Sequence, residues 1–445
     1  MSETKSNTGD GSSVVVEMKR EAESAGMVSS FKLLVRVAAF ILLILPVAST
    51  VASTTQALPS CVSDLDCSLN GVCDVSSGKC ACDSPWTGGS SQPGVLPDCS
   101  LLSFLPSPVS ECGPGCVFHG VDKNWTSWGV SVSAAAATGG FVGYAAEMAF
   151  ECSLSAWTKG SQVVRVVGST PLGPFNRTDI IVPAWSHNPE AIHTSDGKTI
   201  IFTLGDGWEQ NGQPDNCETG QKYPSHRGNV GNCTPVTEPS NCNPGPCLAC
   251  NVTLHVGDSD ETPGPWESFS TQIIGLSSSD NLNNWNPAPF ILPNGSIALM
   301  IHTDDNQGWS GEVIAIASTW KGPYIVTVSD NAVNNLPNKQ EDPFLWVDRR
   351  GYWHVLYHLM FDPDPKEPCG LNSGGHSFSI DGTSWSPIFH AYNTTIQLED
   401  GSSYTFSRRE RPKLLFNTQG IPTHLYNGVI SADYGVYTLV APLKL

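Results

Sequence analysis

One design recurs five times after about residue 112: a lead-in, a short apolar strand, a glycine turn and a second strand. The turn and second strand read GGFVGYAAEM at Gly139, DGKTIIFTLGD at Asp196, NGSIALMIHTDD at Asn294, RGYWHVLYHLM at Arg350 and QGIPTHLYNGV at Gln419. Glycine supplies the backbone freedom of a tight hairpin, and the segments beside it are alternating or wholly apolar, as strands are. Four lead-ins carry proline: HNPEAI at His187, NPAPFIL at Asn286, EDPFLW at Glu341 and ERPKLLF at Glu410; the first unit has SWGVSV at Ser127 instead. The outer segments repeat as well. STPLGPF at Ser169 matches STWKGPY at Ser318, and SSDNLNNW at Ser278 matches SIDGTSW at Ser379. Units of this size cannot bury their own apolar faces, so they must stack on one another. Five of them predict an all-β chain, a five-bladed β-propeller. The Pro/Gly/Asn-rich interval at about 207–251 holds Cys217, Cys233, Cys242, Cys247 and Cys250, and reads as a disulfide-tied insertion that either rims a pocket or shields an edge.

The N-terminal part has a different character. Residues 1–36 are polar, with five basic and five acidic groups, and read as a cytoplasmic tail. Residues 37–54, VAAFILLILPVASTVAST, are apolar and reach spanning length once the small residues after Pro46 are counted. Lys32 and Arg36 precede this run and no basic residue follows until Lys79, which places the tail in the cytoplasm and the rest outside it. An uncleaved signal anchor and a cleaved signal peptide are both open, giving a single-pass type II membrane protein with a luminal or extracellular propeller, or a secreted one. Fifteen cysteines agree with an oxidising compartment. So do six Asn-x-Ser/Thr triplets, at Asn124, Asn176, Asn232, Asn251, Asn294 and Asn393. With 42 acidic against 23 basic residues, nucleic acid is excluded as a natural partner, and the membrane is met through the apolar segment alone.

Six cysteines crowd into residues 61–99: Cys61, Cys67, Cys73, Cys80, Cys82 and Cys99. A segment this short is stapled rather than packed, and spacing alone leaves about fifteen pairings open. CSLNGVC followed by CAC and Trp-Thr-Gly resembles an EGF-like module. The resemblance implies the pairs Cys61–Cys73, Cys67–Cys80 and Cys82–Cys99, and a role as spacer or protein contact.

Residues 112–445 carry a second resemblance. SQVVRVVGSTPLGPF, SHNPEAIHTSDG, EDPFLWVDRRGYWHVLYH, GGHSFSIDGTSW and RRERPKLLFNTQGIPTHLYNG, in that order, look like the five-bladed propeller of glycoside hydrolase family 43 and its relatives. Cleavage of a glycosidic bond by such a fold uses one protonated and one ionised carboxyl. The resemblance assigns Glu410, in its Glu-x-Pro setting, to the proton donor, and Asp342, in Asp-Pro, to the acid that tunes and orients it. It implies a carbohydrate partner. No aspartate stands at the corresponding place for the general base: the first unit offers SWGVSV and the second has Asn188 before its proline. Asp122, Glu147, Glu190 and Glu341 are the substitutes. A propeller that has lost its base, and binds or adheres without turnover, is the alternative function, and a purely structural role is a third.

His187 and His376 are candidates to bond sugar hydroxyls, and Trp128, with Trp185 and Trp346, to stack on a ring; packing in the core is the competing role of each. Arg409 and Arg411 flank Glu410 and on a regular strand would share the face opposite it. Together with Arg349, Arg350 and Arg408 they could equally pair with the acids in a structural network. No organic cofactor motif is present and no metal ligand set is assigned. A structural calcium ion, for which HTDD at His302 offers oxygens, is the one ion the family resemblance allows.

Overall fold

The computed structural model describes residues 60–88, 98–135, 139–205, 207, 252–259, 264–276, 284–304, 310–329, 340–359 and 373–445. The tail, the apolar segment, Asn232, Asn251 and, apart from Gly207, the cysteine-rich insertion lie outside the described residues. Among those described, no helix is long and apolar enough to cross a membrane.

Five blades form the ring, four of them four-stranded and antiparallel, while the third carries a fifth, parallel edge strand, Ile273–Ile274. Their innermost strands are Thr126–Ala134, His187–His193, Asn284–Ile291, Gln340–Val347 and Arg408–Phe416, for blades 1 to 5. Each turns through its glycine hairpin into a second strand; Gly139, Gly197, Gly295, Gly351 and Gly420 all have φ between 70° and 87°, a conformation closed to most side chains. The second strands are almost wholly buried because both of their faces meet apolar partners, as Thr199–Leu204 shows. Five apolar cores separate the blades. Val164, Val166 and Tyr426 join blades 1 and 5, Tyr144 and Ile201 blades 1 and 2, Leu254 and Leu299 blades 2 and 3, Met300 and Val355 blades 3 and 4, and Leu356 and Leu425 blades 4 and 5.

Blade 5 is completed from the other end of the chain. Its outermost strand is Cys116–Phe118, paired antiparallel with Gly435–Pro442, so a segment preceding blade 1 closes the ring. Cys112 and Cys116 are disulfide-bonded beside it.

The N-terminal module has the disulfides Cys61–Cys73, Cys67–Cys80 and Cys82–Cys99, the same three pairs the resemblance implies. It does not stand apart from the propeller. Cys61, Cys67, Trp86 and Cys99 belong to the core between blades 4 and 5, with Trp346, Leu414 and Leu425. Arg350, in the first hairpin of blade 4, donates to the carbonyls of Leu69 and Gly71 and pairs with Asp83 at 3.0 Å. The four described triplet asparagines, Asn124, Asn176, Asn294 and Asn393, are exposed.

Candidate functional site

The proline lead-ins have a structural meaning. In every innermost strand one residue has a left-handed backbone at the same place: Gly129 (φ 77°), Asn188 (52°), Asn286 (54°), Asp342 (57°) and Arg411 (56°). Each lies in a break of register with the second strand. Such a bulge re-aims side chains, here toward the propeller axis. Four of the five precede a proline; Asn and Asp tolerate this conformation, whereas Arg411 does so at a cost.

The bulges of blades 4 and 5 bring acids together. Atoms of Glu341, Asp342, His358 and Glu410 all lie within 4.8 Å of one another. His358 Nδ1 is 3.1 Å from Glu341 Oε1, and its Nε2 is 3.3 Å from Glu410 Oε1. Arg408 Nε donates to the same Glu410 oxygen. Burial pushes the pKa values of Glu410 and Asp342 above the usual carboxyl range, against the pull of His358 and Arg411 respectively. Burial would raise Glu341 too, but the hydrogen bond and charge of His358 outweigh it and bring Glu341 down to about 2. Burial lowers the His358 pKa, and the surrounding carboxylates more than reverse that. The cluster therefore holds one firmly ionised acid and two acids that favour their protons.

Below the acids, Arg411 fills the axis. Its Nη1 lies 2.8 Å from Asp342 Oδ1 and donates to Asn286 Oδ1 at 2.8 Å, and its Nη2 is 3.2 Å from His187 Nε2. Neither Asp342 oxygen is aligned with an N–H, so that contact is Coulombic. Asn188 Nδ2 donates to the same Asn286 oxygen at 2.9 Å. Further along, Lys413 pairs with Glu190, which also accepts from Ser131 Oγ at 3.1 Å.

The remaining candidates are placed as follows. His187 is buried, with Nδ1 2.6 Å from Ser161 Oγ, and touches the axis through Arg411. His376 is fully buried in blade 4 and touches Trp86 and Asn70 of the disulfide module, on the side away from the acids. Trp128, Trp185 and Trp346 are all buried to 4% exposure or less, so none has a free ring face. Trp128 packs with Ala146 and Met148 and carries the Arg408 guanidinium 5.8 Å from its ring centre. Glu147 is paired with Arg177 in blade 1, Glu190 with Lys413, and Asp122 caps an exposed turn. Arg409 and Arg411 do not share a face. The bulge breaks the alternation, so Arg411 enters the axis while Arg409 is buried between Phe104 and Tyr392.

One residue stands out only in three dimensions. His302, on the second strand of blade 3, is held by Glu312 at 3.1 Å, and Glu312 is held in turn by Gln340. Burial lowers the His302 pKa, but the hydrogen bond and charge of Glu312, with the charges of Glu341 and Asp342, more than reverse that. No local sequence signal marks it beyond an apolar strand ending in a histidine.

Around Glu410, blades 4 and 1 are neighbours and blades 2 and 3 lie opposite. There the equivalent residues are the amides Asn188 and Asn286, and blade 1 has Gly129. A Cβ on Gly129 would sit 3.0 Å from Arg411 Cβ, so Arg411 takes up the space an acid would need. The carboxylate that blade 2 carries on its innermost strand, Glu190, is taken up by Lys413. Acids that act on a sugar from opposite sides stand about 5–9.5 Å apart, farther than this cluster allows. Calcium fits the cluster poorly: it takes about 6–8 oxygens, and here one donor is an imidazole and two carboxylates already face arginines. The side chains of Asp304 and Asp305 lie outside the described residues.

No family model and no curated protein matches the sequence. Solved structures do. BT0996, solved as a complex with RGII, superposes with a TM-score of 0.50 at 10% identity, over 77% of this protein and 93% of that one. The family 117 glycoside hydrolase Zg3597 of the marine bacterium Zobellia galactanivorans gives 0.45 at 12%, over 77% and 89%. A GH43_1 enzyme from Xanthomonas citri gives 0.41 at 11%, over 74% and 92%. What the protein shares with BT0996 is the fold.

Proposed function

We propose that the propeller binds a carbohydrate at the acid end of its axis and does not cleave it by a carboxylate pair. One observation carries this reading: blades 2 and 3 present Asn188 and Asn286 where a base opposite Glu410 would stand. Hydrolysis needs an ionised acid there to activate water, and an amide has no proton affinity to do so. The rest of the site remains suited to hydroxyl groups. Glu341 accepts, and Arg408, 40% exposed, donates at the mouth. Four described disulfides support a secretory-pathway setting, where the N-terminal segment would serve as anchor or signal.

The second reading is hydrolysis, with Glu410 as the proton donor and Asp342 tuning it. The burial that raises the Glu410 pKa favours it. Binding to a panel of plant, algal and animal polysaccharides, with reducing sugar measured in parallel, separates the two. Binding without release, weakened at least tenfold in Glu341→Ala, is the expected result. Sugar release that disappears in Glu410→Gln would replace this proposal with hydrolysis, and absence of both binding and release would remove both readings.

A further inference from the structure

Two histidines are buried where the disulfide module meets blade 4. His354 Nδ1 is 3.1 Å from His376 Nε2, and the rings stack with centres 5.3 Å apart. At one end His354 Nε2 approaches Asp348 Oδ2 at 3.8 Å. At the other, His376 Nδ1 is 3.5 Å from Asn70 Nδ2, a long bond that is its polar link to the module. Asn70 Nδ2 also donates to the Cys99 carbonyl at 3.2 Å, which fixes the amide: turned over, it would set oxygen against oxygen. Trp86 covers the His376 ring at 4.7 Å.

These contacts allow one arrangement of protons. Asn70 donates to His376 Nδ1, so His376 carries its hydrogen on Nε2 and donates to His354 Nδ1. His354 then carries its hydrogen on Nε2, toward Asp348. Every donor meets an acceptor, and the pair is neutral. A further proton on His376 must sit on Nδ1, facing the Asn70 N–H. A further proton on His354 must sit on Nδ1, facing the His376 N–H, and if His376 changes tautomer to receive it, its own hydrogen again faces Asn70. Each route ends with two donors pointing at each other in a site that excludes water.

We propose that Asn70, His376, His354 and Asp348 form an acid-released latch, which holds the disulfide module against blade 4 at neutral pH and lets it go when the histidine pair takes up a proton. Asp348 and Arg350 from the blade 4 hairpin and Asp83 from the module are the charged groups facing the pair. Arg350 joins both acids, at 2.9 and 3.0 Å, so their pull on a proton is offset. Burial lowers the pKa values of both histidines in the docked state. The sign follows. Docking is at full strength above the free histidine value of about 6.5, and weakens by up to about tenfold per pH unit below it for each proton taken up. The linker to the ring stays attached, because Leu105 N donates to Pro442 O and Ser107 N to Gln397 O, contacts without a titratable group. This inference is independent of what the axis binds.

Hydrogen exchange of the full-length protein, corrected for intrinsic rates, tests it between about pH 7.5 and 5. Peptides covering 67–88 and 373–379 should lose tenfold or more of their protection, while blade 1 peptides keep theirs. His376→Gln preserves the direction of the relay and leaves His354 as the one titrating member of the pair, so its loss of protection on acidification should be smaller than the wild type's. If His376→Gln is unprotected throughout, Asn70→Asp decides: its carboxylate sets an oxygen against the Cys99 carbonyl but accepts from a protonated His376, so its protection should start below the wild type's at pH 7.5 and should not fall further toward pH 5. Equal protection of the wild type at both pH values, equal loss in His376→Gln, or loss spread evenly over all blades would overturn the latch, as would a further fall in the protection of Asn70→Asp toward pH 5.

Discussion

Lys413→Met gives the most direct measure of what the filled axis contributes. Lys413 and Glu190 have side chains 5% and 7% exposed, and the ammonium group also lies over Phe344 at 5.8 Å. Methionine keeps most of the stem and removes the charge. Glu190 then stays buried with Ser131 as its remaining partner. Breaking a buried pair in this way costs about 3–5 kcal/mol. The upper part of that range has an escape, since Glu190 can protonate. At pH 7, about 2.7 units above the ordinary glutamate value, taking up that proton costs about 3.7 kcal/mol. At pH 5 the same step costs about 1 kcal/mol. Burial already pushes the Glu190 pKa up against the pull of Lys413, so the escape lies in the direction the site favours. A group whose folded pKa is raised is most stabilising at low pH, so the penalty must shrink as the solution is acidified. Equilibrium urea unfolding of the wild type and Lys413→Met at both pH values measures it, with Glu190→Gln/Lys413→Met expected within about 1 kcal/mol of the wild type at pH 7. A penalty below about 1 kcal/mol at pH 7, or one that grows on acidification, would refute the reasoning.

Two further outcomes follow from packing. A Cβ at Gly428 would stand 2.6 Å from Trp128 Cδ2, so Gly428→Ala should cost about 1–3 kcal/mol in thermal or urea unfolding. Because Arg408 rests on Trp128 and touches Glu410, polysaccharide affinity should fall with it. Trp86→Ala should cost about 3–5 kcal/mol, read as exchange confined to the module and blade 4, because Trp86 lies in the core between blades 4 and 5 and in none of the others.

Much of the ring was legible because local chemistry sets it. All five glycine turns are hairpin turns, at Gly139, Gly197, Gly295, Gly351 and Gly420. The proline lead-ins mark the axial bulges, and the STPLGPF and STWKGPY repeats lead into outer strands of blades 1 and 3. Asp342 and Glu410 meet because they stand at and just before the axial bulges of adjacent blades. What was not legible depends on which blade faces which. Asn188 was already legible as the place of a missing aspartate, but its hydrogen bond to Asn286, and through it to Arg411, shows only in the ring. Arg411 looked like the alternating neighbour of Arg409, because a bulge is invisible to a period-two count. His376 sits on the buried third strand of blade 4, and its partner Asn70 lies about three hundred residues away in sequence. The docking of the module through Trp86 likewise depends on surfaces from distant segments.

The closing strand Cys116–Phe118 bears on how the molecule is made. A polypeptide synthesised from its N-terminus produces this strand early, together with the disulfide that braces it, and its hydrogen-bonding partner Gly435–Pro442 among the last residues. Through the making of blades 1 to 4 an unpaired edge waits, of the kind that invites pairing with another molecule. Completion of the ring is then a single late event that joins the two ends of the propeller. The same late step brings Leu414, Leu425 and Leu443 into the core that seats the disulfide module. Any change that slows folding of the last blade would therefore extend the time during which both the early edge and the module's apolar face are open to neighbours, and would be felt as a lower yield of folded protein before any loss of stability in the finished protein.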